Sequence, residues 1–190
     1  MNNAGIGLAA RASPEVVVST NLYGTKRMCE AFLPLLDSST GRIVNVGSGA
    51  GPNYVKRCPA PAQNRLCTDP ESWAQIESWL SDSETGLGSA SDSSGGYGLS
   101  KALVTSYTMW IAKEQPQILS SCCTPGFIDT KLVAGFGASK PPEEGTVAIR
   151  NCLFGALEGN GWYYGSDGIR SPLHFMRNPG QPEYDGVPPP

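Results

Sequence analysis

An α/β fold is predicted for this chain of 190 residues by three observations. Apolar, β-prone runs at residues 42–47, 117–123 and 161–165 read as strands, and helical stretches separate them. The first run leads directly into Gly47-Ser48-Gly49-Ala50-Gly51-Pro52. A serine at the carboxyl end of a strand sits where open α/β sheets place their ligands. The third observation is Tyr97-Gly98-Leu99-Ser100-Lys101, since a tyrosine and a lysine four positions apart on a helix share one face.

In chain order, Ser13 caps and Pro14 opens a helix that runs to about Leu36 and encloses Asn21. The strand at 42–47 begins after Gly41 with the β-branched run of Ile43, Val44 and Val46. Between residues 52 and 95, Pro70 to Leu80 reads as one amphipathic helix, and Ser81 to Gly96 as a flexible Ser/Gly-rich connection. The helix carrying Tyr97 and Lys101 continues to about Glu114, with Leu103, Val104, Tyr107, Trp110 and Ile111 on its apolar side. The strand at 117–123 ends in the Pro125-Gly126 turn, and residues 131–141 form a loop around Phe136. Pro142 opens a helix to about Leu157, the last strand is 161–165, and the tail from Ser166 is irregular. Its end, Val187-Pro188-Pro189-Pro190, is expected to be disordered.

A hydrophobic content of 39% supports one globular domain, while 23 Gly and 16 Pro imply extensive loops. The 14 Lys and Arg against 17 Asp and Glu leave a net charge of −3 without a basic run, which argues against nucleic acid as a partner. No stretch of 18 apolar residues or basic leader is seen, so no membrane association and a cytosolic location are expected. The six cysteines form no C-x-x-C pair, and His174 is the single histidine, so buried free thiols are expected rather than a metal site. Cys122 and Cys123 should point to opposite faces of their strand.

The series Asn2-Asn3-Ala4-Gly5, Thr20-Asn21-Leu22-Tyr23-Gly24-Thr25, Ser48, Tyr97-x-x-x-Lys101 and Pro125-Gly126-x-x-x-Thr130 resembles the short-chain dehydrogenase/reductase family over roughly residues 2–130. Tyr97 follows Ser48 by 49 positions (97 minus 48), which resembles the carbonyl reductase and menthone or salutaridine reductase branch. In that branch residues 52–95 are an insertion. The resemblance implies a Rossmann-like three-layer parallel sheet, with residues 1–165 an incomplete domain of the family and 166–190 a carboxyl-terminal tail. The family's Thr-Gly-x-x-x-Gly-x-Gly turn, which binds pyrophosphate at a helix start, does not occur in the sequence. The chain is therefore expected to correspond to the carboxyl-terminal two-thirds of a reductase.

The implied activity is NADP(H)-dependent reduction of a ketone or aldehyde, with NAD(H) left open. Asn21, Ser48, Tyr97 and Lys101 would be catalytic. Ser48 would meet the substrate oxygen, and Tyr97 would deliver the proton. Lys101 would hold the nicotinamide ribose and lower the phenol's pKa from about 10. Asn21, through water, would connect Lys101 to solvent. Asn3, Ala4, Gly5, Tyr97, Lys101, Pro125, Gly126, Ile128 and Thr130 would border the cofactor. A monomer is expected, because the insertion should bury Trp73 and Trp79 against the Tyr97 helix. Two departures stand out: the gap from Asn3 to Asn21 is 18 positions (21 minus 3), shorter than the family's, and Thr124 looks inserted before Pro125. The alternative is a non-catalytic remnant or interaction module unable to bind cofactor alone, with an unpaired edge along the strand at 42–47.

Overall fold

Each strand run is followed by a helical return, so the strands come to lie side by side in one direction. The computed structural model describes residues 1–188. In it β1 (Arg42–Val46), β2 (Leu119–Cys123) and β3 (Trp162–Tyr164) form a parallel sheet in that order. The register runs from Arg42 opposite Leu119 to Val46 opposite Cys123, and from Ser121 opposite Trp162 to Cys123 opposite Tyr164.

Period-2 alternation divides the core between the two faces of the sheet. Ile43, Cys122 and Tyr163 join the cluster beneath α6 (Tyr97–Glu114), whereas Val44, Cys123 and Tyr164 pack on Ala148 and Cys152 of α7 (Thr146–Phe154). Cys122 and Cys123 thus face opposite layers, as their adjacency requires. All six cysteines are free, and only Cys67 is not fully buried. Among the described residues no group of three or more His, Cys, Asp or Glu is placed to hold a metal. Nor is any helix among them long and apolar enough to cross a membrane.

The edge of β1 is not bare as expected. The Asn2 amide donates to the Val44 carbonyl at 2.8 Å and the Val46 amide to the Asn2 carbonyl at 3.0 Å, a one-residue parallel bridge. Side chains reinforce it: Asn2 Nδ2 donates to Asn45 Oδ1 at 2.8 Å, and Asn45 Nδ2 to Thr108 Oγ1 at 2.9 Å. This buried relay satisfies a polar residue in the middle of a strand and sets where Asn3, Ala4 and Gly5 emerge.

The expected helix from Pro14 consists of α1 (Pro14–Val18), a π-helical turn (Ser19–Tyr23), α2 (Gly24–Phe32) and a 3₁₀ turn (Leu33–Leu35). The widened turn is centred on Asn21. Where one helix was expected between residues 52 and 95, the chain forms three: α3 (Ala50–Val55), α4 (Ala60–Leu66) and α5 (Trp73–Ser78). Ser72 caps α5, its hydroxyl accepting from the Gln75 amide at 3.2 Å.

Residues 82–96 are pinned by carboxylate-closed turns rather than left as a loose connection. The Asp82 carboxylate accepts from the Glu84 and Thr85 amides at 3.0 and 2.9 Å, and Asp92 accepts from the Gly96 amide at 2.8 Å. The Tyr54 hydroxyl donates to the Thr85 carbonyl, and Thr85 and Ser91 are buried.

Helix α6 was expected to bury one side, yet residues 98–109 are buried on every side. Its hydroxyls make this possible by bonding to the helix itself: Thr105 Oγ1 donates to the Lys101 carbonyl at 3.2 Å, and Thr108 Oγ1 to the Val104 carbonyl at 2.8 Å. Trp73 of α5 meets Tyr107 of α6 edge to face, with centroids 5.9 Å apart. Helix α7 is shorter than expected, because residues 142–146 make i to i+3 turns and the helix ends at Gly155. Arg42 caps that end, donating to the Cys152 and Gly155 carbonyls at 3.0 and 2.8 Å.

The segment from Ser166 has neither helix nor strand, but it is anchored: Leu173 packs on the core and Arg177 is buried. Pro189 and Pro190, part of the end expected to be disordered, lie outside the described residues.

Candidate active site

Strands β1 and β2 and the Asn2 bridge end on the same side of the sheet. That side therefore gathers Asn3, Ala4, Gly5, Ser48, Pro125 and Gly126. Ser48 follows β1 by one glycine, and its hydroxyl accepts from the Ala50 amide at 3.2 Å as α3 begins. Tyr97 and Lys101 occupy the first turns of α6, which crosses above the same strand end.

Lys101 is buried, and its Nζ donates to the Val46 carbonyl at 2.8 Å, the last residue of β1 before the Ser48 loop. Nζ also lies 6.0 Å from the centroid of the Tyr97 ring. Burial pulls the ammonium's pKa down to about 8, while the Cys122 thiol on the same face of the sheet and the Cys123 thiol on the other oppose the shift.

The expected depression of the Tyr97 pKa is not what the structure shows. Burial pushes the phenol up, and the nearby Ser48 hydroxyl only partly offsets this. Desolvation of the phenolate outweighs its neighbours, so Tyr97 stays protonated at neutral pH and remains a proton donor.

The Asn21 carboxamide clasps the chain: Oδ1 accepts from the Ile6 amide at 2.8 Å, and Nδ2 donates to the Ile6 carbonyl and to Ser100 Oγ, both at 3.0 Å. Both N–H donors are thereby taken. The Asn21 main-chain carbonyl accepts from Thr25 Oγ1 at 2.7 Å within the π turn, a distortion that recurs at functional sites.

Gly5 lies between these groups. A Cβ there would fall 3.1 Å from Asn21 Oδ1 and 3.6 Å from Lys101 Nζ, so only glycine keeps this approach open. Asn3, Ala4 and Gly5 are exposed, as is Thr130; Pro125 and Gly126 are half-buried and Ile128 is buried. Thr124, the apparent insertion, builds the turn after β2: its amide donates to the Tyr164 carbonyl at 3.0 Å, and its hydroxyl accepts from the Gly126 amide at 3.2 Å. Gly126 has φ +91°, a conformation that glycine adopts without strain.

Sequence reasoning missed two contributors. One is the Asn2–Asn45–Thr108 relay, for which Asn45 inside an apolar strand was the available signal. The other is Met176, whose thioether rests on Gly49 beside Ser48, and nothing in the pattern of the tail pointed to it.

The family model for short chain dehydrogenase matches residues 1–60, which include Asn21 and Ser48. The chain is 32% identical over 162 residues to carbonyl reductase (NADPH) 1 of Homo sapiens, covering 76% of this chain and 58% of that protein. It is 32% identical over 149 residues to (+)-neomenthol dehydrogenase of Arabidopsis thaliana, covering 73% of this chain and 50% of that one. Among solved structures, salutaridine reductase from Papaver somniferum superimposes with a TM-score of 0.61 at 26% identity, over 80% of this chain and 54% of that one. The chain thus spans between half and three-fifths of the length of these relatives.

Proposed function

We propose that this chain, which belongs to the short-chain dehydrogenase/reductase family, carries the proton-delivering half of a reductase site that turns a ketone or aldehyde into an alcohol. The observation that carries this reading is the convergence of Ser48, Tyr97 and Lys101 at the carboxyl end of β1, across 49 and 53 positions of sequence (97 minus 48 and 101 minus 48).

In carbonyl reduction negative charge grows on oxygen, so the site must place donors there and supply a proton. The Ser48 hydroxyl, fixed by the Ala50 amide, donates to that oxygen. Tyr97 then gives up its proton, and the Lys101 ammonium stabilises the phenolate left behind. Asn21 holds Ile6, and through it the course of the chain past Gly5.

The residues fit the nicotinamide end of a dinucleotide. Lys101 Nζ makes one hydrogen bond to protein among the described residues, and Gly5 leaves open the approach that a Cβ would fill. Asn3, Ala4, Gly5, Lys101, Pro125, Gly126, Ile128 and Thr130 would hold the cofactor, which supplies a hydride when bound. No pyrophosphate-binding glycine turn occurs in the 190 residues, since the Gly47 to Gly51 run is committed to the Ser48 loop. NADP(H) is the favoured cofactor because the human relative is named for NADPH. A monomer is proposed because α5 covers α6 with Trp73 against Tyr107 and Trp79 buried.

Calorimetric titration of NADPH, into the chain and into the chain with any residues that precede it in its reading frame, tests this reading. Affinity is expected to weaken as pH rises through about 8, where Lys101 loses its proton, and to weaken likewise in Lys101→Met. Stability without cofactor moves the other way. The folded lysine releases its proton near pH 8 and the unfolded one near 10.4, so the free chain gains stability across that interval. An affinity that ignores both pH and Lys101→Met would remove Lys101 from the cofactor site.

A further inference from the structure

We propose that Met176 is a specificity-determining residue of this site, its thioether forming a wall beside the Ser48 loop that receives the aromatic flank of the carbonyl substrate. The proposal deepens the reductase reading and rests on it. A Cβ built on Gly49 would lie 2.9 Å from Met176 Sδ, so the thioether is laid directly on the backbone next to Ser48. Asn53 Nδ2 stands 3.8 Å from the same sulfur.

Met176 is held there from both sides. Leu173 packs on the core and lines a small cavity together with Gly51, Pro52, Val55 and Ala102. Arg177 is only 7% exposed: its Nε donates to Ser171 Oγ at 3.0 Å, and its Nη1 to the Asn178 and Gln181 carbonyls at 3.1 and 2.7 Å. Its Nη2 pairs with Asp167. Between these anchors Met176 stays 49% exposed, a large apolar side chain kept beside the Ser48 loop.

A thioether is polarizable and favours the edge of an aromatic ring. The two guanidiniums of the segment from Ser166 are engaged elsewhere, Arg177 by Asp167 and Arg170 over the Trp162 ring at 3.6 Å, and a carboxylate moved against apolar groups without a partner is disfavoured. The site is therefore suited to an aryl ketone and ill-suited to a keto acid.

Four methionines, at positions 1, 28, 109 and 176, give a readout that needs no turnover. The chain is labelled with [methyl-13C]methionine and titrated with acetophenone, and separately with pyruvate, in the presence of excess NADP+; Met176→Ala assigns the resonance. Acetophenone is expected to shift the Met176 methyl saturably and pyruvate to leave it in place, with the exposed Met28 methyl unmoved in both. In steady-state assays Met176→Ala should raise KM for acetophenone by roughly two- to tenfold at constant kcat. An unmoved Met176 methyl, or equal shifts at Met28 and Met176, overturns the proposal whether or not ketone is reduced. Turnover alone decides the reductase reading, so the two can fail separately.

Discussion

Replacing Tyr97 with phenylalanine is expected to lower carbonyl reduction by about 100- to 10,000-fold, the range for loss of a general acid. Burial raises the phenol's pKa, so under the proposed function it would enter each cycle with its proton. Phenylalanine keeps the ring and removes the hydroxyl that carries that proton. Ser48 keeps its bond from the Ala50 amide and Lys101 its bond to the Val46 carbonyl, so fold and cofactor affinity should be nearly unchanged. Steady-state kinetics with NADPH, beside a melting curve and a cofactor titration of the same variant, separates the effects. Wild-type turnover by Tyr97→Phe would end the assignment of Tyr97 as the acid.

Arg177→Met is expected to cost about 2–4 kcal/mol, since a buried cation that leaves its partner behind is among the most damaging losses. The figure is set below the 3–5 kcal/mol usual for such pairs, because Asp167 keeps 22% of its side-chain surface in water and can rehydrate. For a chain of this size that is a fall in melting temperature of roughly 5–15 °C. The change also reads out in acid. Burial raises the Asp167 carboxyl, but Arg177 and the Ile169 and Gly180 amides outweigh it and hold the group below its usual range. Its contribution is thus present above the unfolded pKa of about 3.9 and lost as pH falls through the lower folded value. Without Arg177 the folded value rises, and that part of the stability should disappear. Denaturant titrations at neutral and acid pH measure both effects; an unchanged midpoint at pH 7 would mean that the tail is not anchored through Arg177.

The strands and α6 were legible to within two residues because each rests on a short-range cause: a β-branched run for β1, an apolar stretch ahead of the Pro125-Gly126 turn for β2, and the spacing of Tyr97 and Lys101 for α6. The segments misread were those held by partners distant in sequence. Helices α3 and α4, of six and seven residues, are too short to show a period. The 82–96 connection looks loose by composition, yet it is closed by Asp82, Asp92 and a bond from Tyr54, 31 positions before Thr85. The carboxyl-terminal segment owes its order to the buried Arg177, to Leu173 on the core and to the bond from the Ser171 amide to the Tyr163 carbonyl at 2.8 Å.

Order of motifs, residue type and helical spacing depend only on neighbours along the chain, and with these the sequence by itself determined the α/β class, the resemblance to the family, and the candidate set of Asn21, Ser48, Tyr97 and Lys101. It could not determine the state of those residues. Whether Lys101 lowers the Tyr97 pKa or burial raises it depends on how much water reaches the phenol, and that follows from the packing of α3, α5 and the sheet around α6. Likewise, the clasp of Asn21 on Ile6 and the seating of Met176 on Gly49 join residues 15 and 127 positions apart (21 minus 6 and 176 minus 49). Only the folded chain brings such groups within hydrogen-bonding or van der Waals reach, and their contact energies arise there.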